Sequence, residues 1–289
     1  MGTAAAVYLA KAGSQVALID QFHFGHDRGS SHGESRIIRY SYADRRYVRL
    51  ARAAYQLWHE MEAAVSARLI TTAGGLDLGF AGSADFEGCI ASLTAERVAF
   101  ELIESCEIEA RFAQLNVDSD TRGLIQAQTG ILNPERCLEK MRALAGGMGV
   151  HFVCGEPVES IAALAGQVLV ETTRHRYKAR SAVIAAGAWA GDLLAALGVR
   201  IPVTVTQEQF AYFQPDNLDP FRLGRFPVFL CYGDGSLPLM YGFPDRRQFE
   251  LPLGDIQHEY PKKWLGAERE RRRPKIYAIW RCRGAAKAA

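Results

Sequence analysis

The sequence predicts an α/β protein in which a nucleotide-binding, parallel-sheet part is interleaved with an antiparallel-sheet part. Three observations predict it. An alanine-rich helical opening runs directly into the short apolar stretch 15–20 (QVALID), which ends in an acid. A second apolar run, 181–189 (SAVIAAGAW), reads as a buried parallel strand followed by a tight turn. Alternating stretches at 76–80, 203–206 and 209–213 instead suit strands of another sheet.

The elements follow in order. Ala4, Ala5, Ala6, Leu9 and Ala10 are strong helix formers, and Gly13 stands where a helix C-terminus expects glycine. A loop rich in Gly, Ser and His covers 25–34. Leu50, Ala54, Leu57, Trp58 and Met61 are spaced as one face of a helix over 47–69. Helical spacing returns over 84–99 and over 134–145, where Asn133 is placed to cap and Pro134 to occupy the first turn. Residues 149–154 and 167–172 are strand candidates, the latter turning at Arg174 and His175.

The composition, 48% hydrophobic and 23% charged, suits a chain that buries a core. No apolar run reaches the length of about 18 residues expected of a membrane helix, and the opening lacks the basic segment of a signal peptide. The expectation is a cytoplasmic protein without a membrane partner. Six scattered cysteines offer no metal-ligand spacing, so buried free thiols and no metal site are expected. The net charge of +2 is uneven: residues 262–289 hold ten Lys/Arg against two Asp/Glu. Such a basic tail could attract nucleic acid, but a solvated chain end is the better reading, and a nucleic-acid partner is not expected.

Two motifs carry chemistry. A dinucleotide-binding unit places a pyrophosphate at a helix N-terminus and a carboxylate on the ribose at the end of the next strand. Gly2 before the first helix and Asp20, 18 residues later, fit the end of that pattern. The second motif is the run 28–39 (RGSSHGESRIIR). Its glycines and serines make a donor-rich loop, and Arg36 and Arg39, three apart, would point the same way on a helical turn. Two fixed positive charges suit an anionic cofactor and a substrate carboxylate, or equally a structural pair bonded to nearby acids.

Residues 29–39 resemble the G-S-x-H-G-x-[ST]-R-I-I-R loop of the monomeric sarcosine oxidase and N-methyltryptophan oxidase family. The stretch 1–20, Leu57-Trp58, 128–132 (QTGIL), Ala186-Gly187-Ala188-Trp189 and Tyr241-Gly242-Phe243-Pro244 match in family order. The resemblance implies an FAD-binding, Rossmann-like parallel sheet over 1–75 and 135–200, and an antiparallel-sheet substrate domain over 76–134 and 201–245. It implies FAD-dependent oxidation of the C–N bond of a small N-methyl amino acid such as sarcosine, giving an imine and hydrogen peroxide. By the same resemblance Gly2, Asp20, Gly29, Ser30, Ile37, Val158 and Gly187 contact FAD. Arg36 sits by the flavin ring with His32 near it, Arg39 pairs with the substrate carboxylate, and Tyr241 lies near the substrate. A monomer is expected.

The resemblance lacks the family's first strand and first two glycines, and it stops after Pro244. The family's oxygen-activating lysine, flavin-linking cysteine and second carboxylate-binding lysine have no counterparts assigned here. The expectation is a chain truncated at both ends, with a divergent basic tail over 246–289. The alternative reading is a catalytically inactive fragment whose tail binds a partner.

Overall fold

The computed structural model describes residues 1–80, 82–205, 215–233 and 239–245. They divide into two compact units. The first comprises Met1–Arg36, Gln56–Ile70 and residues 132–205. The second comprises Ile37–Tyr55, Thr71–Ile131 and the described residues beyond 214.

In the first unit the helix Gly2–Lys11 buries Ala6 and Val7, and the chain leaves it through Gly13 at φ 82°. That left-handed conformation suits glycine because it has no Cβ to clash. The strand Ala17–Asp20 then pairs in parallel with His151–Cys154, with Asp20 opposite Cys154. Before the partner strand comes the helix Pro134–Gly147, whose cap is the expected one: Asn133 Oδ1 accepts from Arg136 N at 3.0 Å. The two helices pack against each other. An antiparallel sheet of Val158–Leu164, Gln167–Thr172 and Arg176–Ala179 completes the unit, with a register shift at Glu171/Thr172.

The apolar run at 181–186 does not form the expected buried strand. A strand needs a hydrogen-bonded neighbour, and a buried one needs cover on both faces. Among the described residues, 181–186 joins no ladder, and Val183 is left 64% exposed. Residues 203–205 likewise lie in no strand, while 206 and 209–213 fall outside the described residues, as does the tail from 246.

The second unit is built on a five-stranded sheet in the order Met240–Gly242, Val228–Cys231, Gly75–Phe80, Thr121–Gln126, Glu101–Glu104. It is mixed rather than wholly antiparallel, because Val228–Cys231 runs parallel to Gly75–Phe80. The central strand is covered on both faces. Leu76 and Leu78 enter one apolar cluster with Ile103, Ile108 and Phe229. Gly75, Asp77 and Gly79 occupy the other face, since strand side chains alternate. On that side Phe86, Cys89 and Leu93 of the helix Ala84–Ala95 join Leu124, Leu230 and Tyr232 in a second cluster. The approach is close: a Cβ at Gly79 would lie 2.3 Å from the Phe86 ring, and one at Gly75 2.4 Å from Thr129 Oγ1.

The helix Arg45–Val65 presents a different face from the one its leucines suggest. Val48, Ala51 and Tyr55 are buried, whereas Leu50 and Leu57 are 65% and 43% exposed. At 100° per residue these leucines stand roughly opposite the buried stripe. Among the described cysteines, Cys89, Cys137 and Cys231 are buried, but Cys106 and Cys154 are exposed. No helix among the described residues is long and apolar enough to cross a membrane.

The close approach at Gly79 yields a test. Gly79→Ala should lower the urea-unfolding free energy by about 1–3 kcal/mol, the usual cost of overpacking a core. Gly147→Ala, where an added Cβ meets nothing within 4 Å, should change it little. Equal effects would show that helix and strand do not pack as described.

Candidate functional site

In the first unit the candidate cofactor residues gather at the end of the parallel strand pair. The helix Gly2–Lys11 starts without a side-chain cap, so its first-turn N–H groups remain available to an anion. A Cβ at Gly2 would meet Ala185 and Leu18 at 3.5 Å, ordinary contact, so its value there is backbone access rather than a forced fit. Asp20 Oδ1 accepts from Phe22 N at 2.9 Å and stands 3.8 Å from His26 Nε2. Asp20 Oδ2 has no hydrogen bond among the described residues, and the side chain is 33% exposed. Glu156 N donates to the Asp20 carbonyl at 3.2 Å, which draws the start of the Val158–Leu164 strand to the same place. Gly187 opens a short helical turn at φ 54°, and Trp189 of that turn packs edge-on to Phe22 at 5.4 Å.

These groups fit a dinucleotide cofactor: free N–H groups for phosphate, and a carboxylate oxygen at the strand end for ribose hydroxyls. Nearby, Arg28 lies over the Phe22 ring at 4.9 Å, a cation–π contact outside the expected set.

The loop bearing Gly29, Ser30, His32 and Arg36 is wound around the Arg36 guanidinium. Nη1 donates to the Ser35 carbonyl at 2.7 Å, and Nη2 donates to the carbonyls of Ser30 and His32 at 2.6 and 2.8 Å. His32 Nδ1 hydrogen-bonds the Gly29 carbonyl, and Gly33, at φ 97°, donates its N–H to Glu135 Oε1. Spacing had suggested a helical turn with both guanidiniums on one side. Residues Arg36–Ile38 instead form a strand, with Arg39 just beyond it, so no helical turn joins the two arginines. Arg36 is exposed and Arg39 is largely buried.

In the second unit Arg39 lies in a buried polar cluster. Its Nη1 donates to the Ser41 carbonyl, to Ser41 Oγ at 3.0 Å and to Tyr232 Oη at 3.0 Å. The guanidinium stacks over Tyr42 at 4.5 Å. Asp77 Oδ2 stands 3.6 Å from the same Nη1 without a hydrogen bond of its own, while the Asp77 carboxylate hydrogen-bonds Ser41 and Tyr232. Nε and Nη2 of Arg39 donate to none of the described residues. Burial opposes the Arg39 charge, but Tyr232 and Asp77 outweigh it and raise its pKa. Burial, aided by Asp77, raises the Tyr232 hydroxyl, which lies 3.3 Å from Cys89 Sγ, and burial pushes that thiol up to about 11. Ile37 is half-buried against the core cluster, and Tyr241 is 56% exposed on the edge strand, opposite Leu230 and edge-on to Phe243.

Sequence reasoning missed Asp77, Ser41 and Tyr232. Asp77 was visible as the acid of an otherwise apolar strand, Leu76-Asp77-Leu78, but alternation makes such an acid look solvated. In fact it is 3% exposed.

Burial raises the Asp77 pKa from 3.8 to about 6, against the pull of Arg39, Ser41 and Tyr232. An acid whose folded pKa is raised binds its proton more tightly in the folded state. Its contribution to stability is therefore whole below about 3.8 and is lost as pH rises through about 6. The stability of the native protein relative to Asp77→Asn should fall between pH 4 and pH 7 in urea unfolding. A difference that is flat or rises with pH would contradict the assignment.

A family model described as DAO, FAD dependent oxidoreductase, matches residues 1–249. The monomeric sarcosine oxidase of Streptomyces avermitilis is 35% identical over 246 residues, covering 84% of this chain and 63% of its own. The peroxisomal sarcosine oxidase of Homo sapiens is 30% identical over 260 residues, covering 90% and 63%. The N-methyl-L-tryptophan oxidase of Salmonella arizonae is 31% identical over 258 residues, covering 88% and 67%. The chain thus spans 63–67% of the length of these relatives. Among solved structures, NikD, an unusual amino acid oxidase essential for nikkomycin biosynthesis, shares the fold at a TM-score of 0.68 and 24% identity, covering 85% of this chain and 63% of its own. The L-proline dehydrogenase of P. horikoshii does so at 0.66 and 19%, covering 83% and 63%. The mixed α/β architecture, the incomplete dinucleotide pattern and the arginine loop therefore have one source: the chain belongs to the FAD dependent oxidoreductase family.

Proposed function

We propose that the chain oxidises the C–N bond of a small N-methyl amino acid such as sarcosine, with FAD held by the first unit and the amino acid carboxylate by the second. The observation that carries this reading is Arg39, a largely buried guanidinium anchored through Nη1 alone, with Nε and Nη2 unengaged among the described residues. A planar fork fixed at one corner suits two-point recognition of a carboxylate.

In the first unit, the free N–H groups at Gly2 take the pyrophosphate, and Asp20 takes ribose hydroxyls through its unbonded oxygen. Gly29, Ser30, Ile37, Val158 and Gly187 line the cofactor. Arg36 is held by three carbonyls, whose dipoles fix its charge without neutralising it. A fixed positive charge of this kind favours an anionic, reduced cofactor. Gly29 and Arg36 hold His32 in the same loop, where it shapes that charged segment. Bound FAD would accept the hydride leaving the carbon next to nitrogen, and oxygen would regenerate it with release of hydrogen peroxide. Arg39 orients the amino acid, and the exposed Tyr241 hydroxyl is available to the substrate. Water hydrolyses the imine product after release.

The chain saturated with FAD should release peroxide with N-methylglycine and far less with dimethylamine, which has the same bond but no carboxylate. Arg39→Met should raise KM for N-methylglycine by about tenfold or more, since a hydrogen bond to a charged group contributes about 1.5–3 kcal/mol. Equal turnover of the two amines would contradict carboxylate recognition.

A further inference from the structure

We propose that Asp77 is a positioning residue that competes with the ligand carboxylate for Arg39, so that the site binds carboxylates weakly when Asp77 is ionised and more tightly when it is protonated. This deepens the reading above and rests on Arg39 being the carboxylate partner.

The geometry supports competition rather than simple bracing. A bracing carboxylate would bond the guanidinium, often through two oxygens. Asp77 does not: its Oδ2 is 3.6 Å from Nη1 and has no hydrogen-bond partner, and the carboxylate's own hydrogen bonds go to Ser41 and Tyr232. The bonds that position Nη1 come from Ser41 and Tyr232. Protonating Asp77 therefore removes a negative charge beside the guanidinium without breaking any direct bond between the two. With Asp77 ionised, the pair is nearly neutral to an approaching anion. With Asp77 neutral, the guanidinium presents its full charge, and in a low-dielectric setting that difference is strong.

The surroundings leave few rivals for this titration. Leu124 and Leu230 lie opposite Asp77 on the flanking strands. The helix Ala84–Ala95 presents Cys89, whose thiol is pushed up to about 11 and stays neutral near pH 6, with Asp85 acting on Cys89 from a distance. Among the described residues Ser41, Tyr42 and Tyr232 also face the pair, and the Tyr232 hydroxyl is raised by burial and by Asp77. Burial drives Asp77 itself to about 6, inside the range where the competition would be felt. Gly75 and Gly79, on the same face of the strand, let Thr129 and Phe86 come close on either side of Asp77.

The test is calorimetric titration of the full chain with acetate, using acetamide as the uncharged control, at pH 5.5 and pH 7.5. Acetate affinity should weaken about threefold or more from the lower to the higher pH, as expected when an uncompensated charge becomes compensated. Asp77→Asn should bind acetate with little pH dependence, at least as tightly as the native chain does at pH 5.5. Asp77→Glu should restore the pH response, which a merely structural role would not. Acetamide should bind negligibly. Acetate binding that is lost in Arg39→Met but has the same pH response in native protein and Asp77→Asn would overturn the Asp77 proposal while leaving the Arg39 reading intact. Acetate binding that is absent, or indifferent to Arg39→Met, would overturn both. If Asp77→Asn does not fold by circular dichroism, the native titration decides alone, and a flat response there overturns the proposal.

Discussion

A guanidinium buried among apolar side chains must find both hydrogen-bond acceptors and a counter-charge, because an isolated charge in such a place costs several kcal/mol. In this chain the requirement is divided. Ser41 and Tyr232 supply the acceptors for Arg39, and Asp77 supplies the charge from the central strand of the five-stranded sheet. Much of the second unit is arranged around that division. The sequence G-L-D-L-G-F puts leucines on one face of the strand and glycine–aspartate–glycine on the other. Phe86 and Thr129 can then close over that face. Tyr232 follows the strand that runs parallel to Gly75–Phe80, so the mixed sheet order brings its hydroxyl to Arg39.

The first unit solves a different problem with local means. Its helix, strand and glycine turns set out backbone donors and one carboxylate around the end of a parallel strand pair. The described hydrogen bonds of Arg36 all go to carbonyls of its own loop, and none of the described residues forms an ion pair with it. The two arginines of one motif thus receive opposite treatment: dipoles alone for Arg36, and an acid for Arg39.

Local features were the most legible in the sequence. The Asn133-Pro134 pair announces its helix because capping and the first-turn proline act within a few residues. Gly13 marks the end of the first helix for the same reason. The family was legible from the ordered motifs of 29–39, 186–189 and 241–244, and the family match over 1–249 bears that out. What failed depended on partners remote in sequence. The run at 181–186 has a buried strand's composition, but no described strand pairs with it. Leu50 and Leu57 look like a core face, yet Val48, Ala51 and Tyr55 find cover instead, and of the expected face Met61 is the buried member. The spacing of Arg36 and Arg39 was read on a helical period where the chain is extended. Asp77 escaped notice because nothing within its own strand reveals that an arginine 38 positions earlier lies beside it.

The proposed oxidation requires that the first unit hold a flavin. The most direct measurement is the visible absorption spectrum of the folded, purified chain after incubation with FAD and removal of free cofactor. A flavin band should be retained, and lost when Asp20 is replaced by alanine. A folded but colourless protein would contradict the proposed oxidation.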